Sequence, residues 1–131
     1  MAQKLLFADD TIAISYDYLN QWIYVDWRGE QNHQTVKEGC ERMLEYLKSE
    51  LCHKVLNDNT NVRGSWSDAS EWVALDWFPR MANAGLKYFA WVYSPSTFSQ
   101  LSTNKTLNLN KSVIAVTFQN IDTARKWLQS M

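Results

Sequence analysis

Hydrophobic and polar residues alternate with period two in two runs near the start of the chain. Ile12, Ile14 and Tyr16 interleave with Ala13, Ser15 and Asp17, and Trp22, Tyr24 and Asp26 with Ile23, Val25 and Trp27. Such alternation marks strands with one covered face, and Asp17-Tyr18-Leu19-Asn20 between them predicts a hairpin. Lys4 to Ala8 reads either as a further strand, folded back at Asp9-Asp10, or as an N-terminal extension of the first. The period then changes. Val36, Cys40, Met43, Leu44, Leu47 and Leu51 recur at helical spacing, which predicts a helix from about Gln34 to Leu51 with Lys37, Glu41, Glu45 and Lys48 on its solvated face. Its start carries two alternative signals: Thr35 with Glu38 at capping-box spacing, and Asn32.

Lys54 to Asn57 predicts a short strand, followed by a polar loop across Asp58 to Ser67. A second helix starts near Ser67 or Asp68, with Ser and Asp as caps and Glu71 in its first turn. Pro79 predicts a kink or a new short helix, and Gly85 suits the residue that ends it. The unbroken apolar run inside Lys87 to Tyr93 predicts a central parallel strand covered on both faces. A short helix near Thr97 to Asn104, a polar mobile segment from Asn104 to Lys111, a strand from Ser112 to Phe118 and a helix capped by Asn120 or Asp122 complete the chain. The order is β-β-α-β-α-β-α-β-α: an α/β domain with a mixed, mostly parallel sheet of four to five strands flanked by helices.

Composition narrows the picture. The 131 residues fit one domain, 1–131, and 46% hydrophobic content supplies a core. A net charge of −1 gives no long-range attraction to nucleic acid. No stretch approaches the roughly 20 apolar residues of a membrane span. Met-Ala-Gln-Lys lacks the features of a secretory signal, so a soluble cytoplasmic protein is expected. Cys40 and Cys52 fall on one helix, too far apart at about 1.5 Å per residue to bond to each other, which fits a reducing compartment.

Seven Trp, six Tyr and five Phe are many for this length. They read as a core built from large rings, or as an aromatic pocket or partner surface. On the second helix, Trp72 and Trp77 fall about 140° apart on the helical wheel. Trp66, Trp72, Trp77 and Phe78 therefore cannot all face one core, and some ring is expected at the surface or against another chain.

The stretches Trp22-Ile-Tyr-Val-Asp-Trp-Arg-Gly29, Leu56-Asn-Asp-Asn-Thr-Asn61, Trp72 to Gly85 with Trp77-Phe78-Pro79-Arg80 inside it, and Asp122-Thr-Ala-Arg-Lys-Trp-Leu128 together span nearly the whole chain. Their order and spacing resemble the STAS superfamily, and more closely its SpoIIAA-like branch of small stand-alone bacterial proteins. The resemblance implies a STAS-like sheet of four to five strands flanked by helices, and a non-enzymatic regulatory or protein-interaction role in bacterial signalling. In the phosphorylation-switched members, the strand before the second helix ends in Asp-Ser-Ser/Thr-Gly, whose second hydroxyl takes the phosphate. Asp58-Asn59-Thr60-Asn61 occupies that place, with Thr60 as acceptor and Asn61 where the family has glycine. Asn59 replaces the first Ser, and about six residues separate Thr60 from the helix start. The branch also resembles CRAL-TRIO lipid-binding folds, which gives the alternative role of a carrier for a small apolar, lipid-like ligand. Trp22, Tyr24, Trp72, Trp91 and Tyr93 would then line its cavity.

Other chemistry has little support. His33 and His53 lie in no metal-binding spacing, and no phosphate-cradling or nucleophile-elbow motif occurs, so no metal, cofactor or catalytic set is expected. Cys52 beside His53 forms a thiol–imidazole pair only if the two side chains turn together at a helix-to-strand corner. The polar loop has a purely structural reading, with Asp58, Asn59 and Asn61 in Asx-type turns, Ser67 or Asp68 as cap, and Arg63 paired with Asp58 or Asp68. In its functional reading Arg63, Ser65 and Ser67 hold an anion or a partner beyond a strand's C-terminal end, and the protein associates with a partner or with itself through this loop and the aromatic helix.

Overall fold

The computed structural model describes residues 2–131. Six strands form one sheet in sequence order: β1 (Gln3–Ala8), β2 (Ile12–Asp17), β3 (Trp22–Glu30), β4 (Lys54–Arg63), β5 (Tyr88–Val92) and β6 (Ile114–Phe118). The β1–β2 and β2–β3 pairings are antiparallel, and β3–β4, β4–β5 and β5–β6 are parallel. The expected four to five strands are thus corrected to six, because Lys4 to Ala8 folds back as a separate strand. The expected mostly parallel sheet is instead divided into an antiparallel half and a parallel half. No strand order reverses, so the fold lacks the crevice that a reversal creates.

When strands follow sequence order, crossovers of one hand place every connecting helix on one face. Helix α1 (His33–Ser49) and the helical segment α2 (residues 67–83) accordingly cover the same face. Ile12, Ile14, Ile23, Val25, Trp27, Val55, Phe89 and Trp91 point into that core from the sheet, and Met43, Leu47, Trp77, Phe78 and Met81 enter from the helices. Helix α3 (Thr97–Leu109) lies against α2. The opposite face is covered by α4 (Ile121–Ser130), whose Ala124 and Leu128 pack on Trp22, Leu56, Ala90 and Val92. Asn32 caps α1 in a capping box with Thr35, which decides between the two expected starts. Tyr88 to Val92 is a central strand between two parallel neighbours, as its apolar run predicts.

Helix α2 departs from a uniform α-helix. It opens as a 3₁₀ turn over Ser67–Ala69, runs as α over Ser70–Trp72, widens to a π turn over Val73–Trp77, and resumes as α over Phe78–Asn83. Pro79 sits in the first turn of that last piece, where its missing N–H costs least. The π turn invalidates the 100° wheel used to separate the rings. Trp66, Trp77 and Phe78 are all buried, and only Trp72 keeps partial exposure. Three of the four rings are therefore core-filling, and Trp72 is the ring that keeps a place at the surface. Neither Ser67 nor Asp68 serves as side-chain cap to this segment.

Two further expectations change. The strand ending at Asn57 continues to Arg63, so Asp58, Thr60 and Asn61 lie in β4 rather than in a loop. The polar stretch 104–109 is helical rather than mobile. Helix α3 turns Ser99, Ser102, Thr103 and Thr106 inward and leaves Phe98 and Leu101 exposed, so its buried face reads as polar. Ser70 donates its hydroxyl to the Ser102 carbonyl at 3.0 Å, the Trp66 indole donates to Ser99 at 3.3 Å, and Thr106 donates to the Ser102 carbonyl at 2.9 Å.

Candidate functional site

The geometry around Thr60 follows from a bulge. Asp26 on β3 pairs with Asp58 on β4, but Arg28 pairs with Asn61, so one residue of β3 spans two of β4. The extra residue shifts the side-chain alternation by one. Val62 therefore enters the helix-covered core while Asn61 turns to the other face and donates to Asp26 at 3.2 Å. Thr60, at the shift, is exposed.

Asp58 holds the bulge. Its Oδ1 accepts the Thr60 backbone N–H at 2.9 Å and the Thr60 hydroxyl at 2.5 Å, and its Oδ2 accepts the Tyr24 hydroxyl at 2.8 Å. The carboxylate is only 5% exposed and draws its stabilisation from these three donors. Burial first, then the bond to Asp58 and its charge, push the Tyr24 phenol well above its ordinary range. Beside this group Arg28 Nε pairs with Asp26 at 3.0 Å. The cluster comprises an exposed hydroxyl directed at a buried carboxylate, with a cation on the same polar face. Such a carboxylate can accept the hydroxyl proton when Thr60 Oγ1 attacks an electrophile. Tyr24, Asp26 and Arg28 alternate on β3 toward the face that Asp58 shares. That spacing is visible in the sequence, but the register that brings them to Asp58 is not.

Arg63, Ser65 and Ser67, expected with Thr60 in one loop, are not assembled with it. The Asp58 group faces the side carrying Tyr24, whereas Ser65 lies 3.3 Å from Ser102 of α3. The Ser65 hydroxyl donates to Ser67 at 3.2 Å, and Lys105 donates to the Ser67 carbonyl at 3.1 Å, so these groups fasten α3 to the start of α2. Among the described residues the ion pairs are Lys4–Glu50, Arg28–Asp26, Arg80–Glu41 and Arg80–Asp76, and Arg63 pairs with neither Asp58 nor Asp68.

The aromatic candidates are likewise separated. Trp22 and Tyr24 belong to the α4 side of the sheet, and Trp91 belongs to the opposite core, so they cannot line one pocket. Trp91 stacks on Trp66 with ring centroids 5.9 Å apart. Tyr93 donates to Asn104 at 2.6 Å. Trp72 carries Lys37 and Arg80 over its ring at 5.3 and 5.7 Å. A cavity of about 30 Å³ lies among Trp27, Gln31, Asn57, Asn59, Trp66 and Trp91. That is room for water and little more, against roughly 300 Å³ or more for a ligand pocket. Large rings fill this core to near closure.

The cysteines are free and buried. Burial pushes both thiols up, Cys40 far up. Cys52 donates to the Lys54 carbonyl at 3.2 Å, and His53 Nδ1 lies 2.7 Å from the Gly85 carbonyl, so thiol and imidazole are engaged apart. Among the described residues no three His, Cys, Asp or Glu side chains gather as a metal site, and no helix is long and apolar enough to cross a membrane.

No family model matches the chain, and no curated protein matches it. Among solved structures, SiaC of Pseudomonas aeruginosa is similar at 12% sequence identity with a TM-score of 0.45, over 90% of this chain and 100% of that one. At that score the likeness carries no argument about function.

Proposed function

We propose that this chain is a non-enzymatic regulatory module of the SpoIIAA-like/STAS type, switched by phosphorylation of Thr60 and acting through protein contacts on the polar face of β3 and β4. The observation that carries the reading is the exposed Thr60 hydroxyl held against buried Asp58. A kinase supplies the phosphoryl group. Thr60 Oγ1 bonds to phosphorus, the bond to the nucleoside diphosphate leaving group breaks, and the hydroxyl proton passes by way of Asp58 Oδ1 to solvent, which leaves Asp58 a carboxylate. The product exchanges a donor for a group of about −1.5 to −2 charge beside a carboxylate. The bond that closes the bulge is lost, and repulsion drives Thr60 away from Asp58. Arg28 is the cation of the cluster and can leave Asp26 for the phosphate. Phosphorylation thereby reshapes both charge and backbone on one surface, which is what a partner reads.

The test is mass spectrometry of the protein isolated from its own cells under several growth conditions, beside a Thr60→Ala chain. Phosphate on Thr60 in the wild type and its loss in the variant are expected. Persistent absence of phosphate from Thr60 removes the reading.

A further inference from the structure

The two edges of the sheet are built differently. Edge strand β1 carries a bulge between Leu5 and Phe7 and a lysine, Lys4, paired with Glu50 at 3.3 Å. Bulges and edge lysines both block strand addition. Edge strand β6 has neither. Ile114-Ala115-Val116-Thr117-Phe118 is uncharged, free of proline and regular against β5. Its Ile114 is 57% exposed and its Val116 36%, on a strand where such residues would ordinarily be covered.

The backbone phase of that edge is fixed by one bond. Tyr93 N–H donates to the Phe118 carbonyl at 2.9 Å, so Phe118 points its polar backbone groups inward. Backbone groups alternate along a strand, so Val116 does likewise while Ala115 and Thr117 present N–H and C=O outward. Those two residues flank Val116 symmetrically.

We propose that β6 is a self-association surface, pairing antiparallel with β6 of a second copy about a twofold axis through Val116. In this register Ala115 of each copy faces Thr117 of the other, and each pair exchanges two backbone hydrogen bonds. Val116 meets Val116 at the close, non-hydrogen-bonded spacing, and Ile114 meets Phe118. The exposed apolar side chains of one face thus cover each other, and the two six-stranded sheets join. The same symmetry brings the end that Lys111 precedes by three residues toward the partner copy's end, which Asp122 follows by four, so opposite charges flank the pairing at both ends. An isologous contact of this kind closes on itself and leaves no further edge of the same type. The proposal is independent of Thr60, which lies on β4.

The test is sedimentation equilibrium of the full chain and its variants over a concentration series, with circular dichroism to confirm folding. The wild type is expected to reach twice the chain mass. Val116→Lys and Val116→Glu, each placing like charges at the axis, are expected to lose the dimer singly and to regain it when mixed in equal amounts. Ala115→Pro removes an outward donor where an edge strand tolerates proline, and is also expected to be monomeric. A wild type that remains monomeric at every concentration overturns the proposal. So does a dimer that survives Val116→Lys or Ala115→Pro, and so does a charge-swapped mixture that stays monomeric.

Discussion

At the scale of single residues, the polar cluster behaves as one unit because Asp58 is buried and its donors are specific. Tyr24→Phe removes one of three donors and leaves a charged oxygen part-buried. A loss of about 1.5–3 kcal/mol is expected for a bond to a charged group, measured by urea unfolding. The pH dependence has a definite sign. The folded pKa of Tyr24 is raised above the ordinary value near 10, so folding favours the neutral phenol. Its contribution is complete below that ordinary value and is lost as pH rises through the raised folded value. The wild type is therefore expected to lose stability in the alkaline range by a component that Tyr24→Phe lacks, and tyrosinate absorbance should show a late-titrating phenol that Tyr24→Phe removes. An identical alkaline decline in both proteins would refute the assignment. Asp58 and Thr60 are legible in the sequence as partners in an Asx-type turn, since that bonding is local. Their partner Tyr24, 34 positions away, is not, because pairing across strands leaves no local mark.

At the scale of elements, legibility followed whether the buried face was apolar. Helix α1 shows its stripe in the sequence because Val36, Cys40, Met43, Leu44 and Leu47 are both apolar and buried. Helix α3 hides its extent because its inward face is serine and threonine: the Ser102 and Thr106 hydroxyls bond back along α3, and the Ser102 carbonyl accepts Ser70 of α2. Strand β4 extends past Asn57 through polar residues because β3 runs on to Glu30 and supplies its ladder. The fit of α1 to the sheet depends on one small residue. A Cβ built at Gly39 would stand 2.3 Å from Trp27 and 2.9 Å from Ile12, and the Trp27 indole is itself held by Asn57 at 2.9 Å. Gly39→Ala improves helix propensity by about 1 kcal/mol. Overpacking against a fixed indole costs about 1–3 kcal/mol, and the backbone must also separate. Net destabilisation in thermal unfolding is expected, and a stabilised variant would show that α1 lifts off the sheet at little cost.

At the scale of the whole molecule, the sheet is covered unequally. Helices α1 and α2 cover one face, with α3 against α2, and α4 alone guards the other. This asymmetry was not legible in the sequence: the helix signals were present, but which face each crossover takes depends on strand order, and strand order is a long-range choice. The polar Tyr24–Asp58–Thr60 surface belongs to the face that α4 guards, so the stability of that face bears on the site itself. Leu128 is fully buried against the second-face cluster, and its carbonyl accepts Lys54 Nζ at 3.1 Å. Leu128→Ala keeps the carbonyl and removes the packing, so the expected loss is about 2–5 kcal/mol. Trp22 and Leu56 of that cluster sit on the strands whose other faces build the main core. Loss of α4 therefore cannot stay local. Tryptophan fluorescence and far-ultraviolet circular dichroism are expected to report one coincident urea transition, moved to a lower midpoint with unchanged slope. A fluorescence change that precedes the loss of helix signal would mean that α4 detaches from an otherwise intact sheet, and the two faces would then be separate cooperative units.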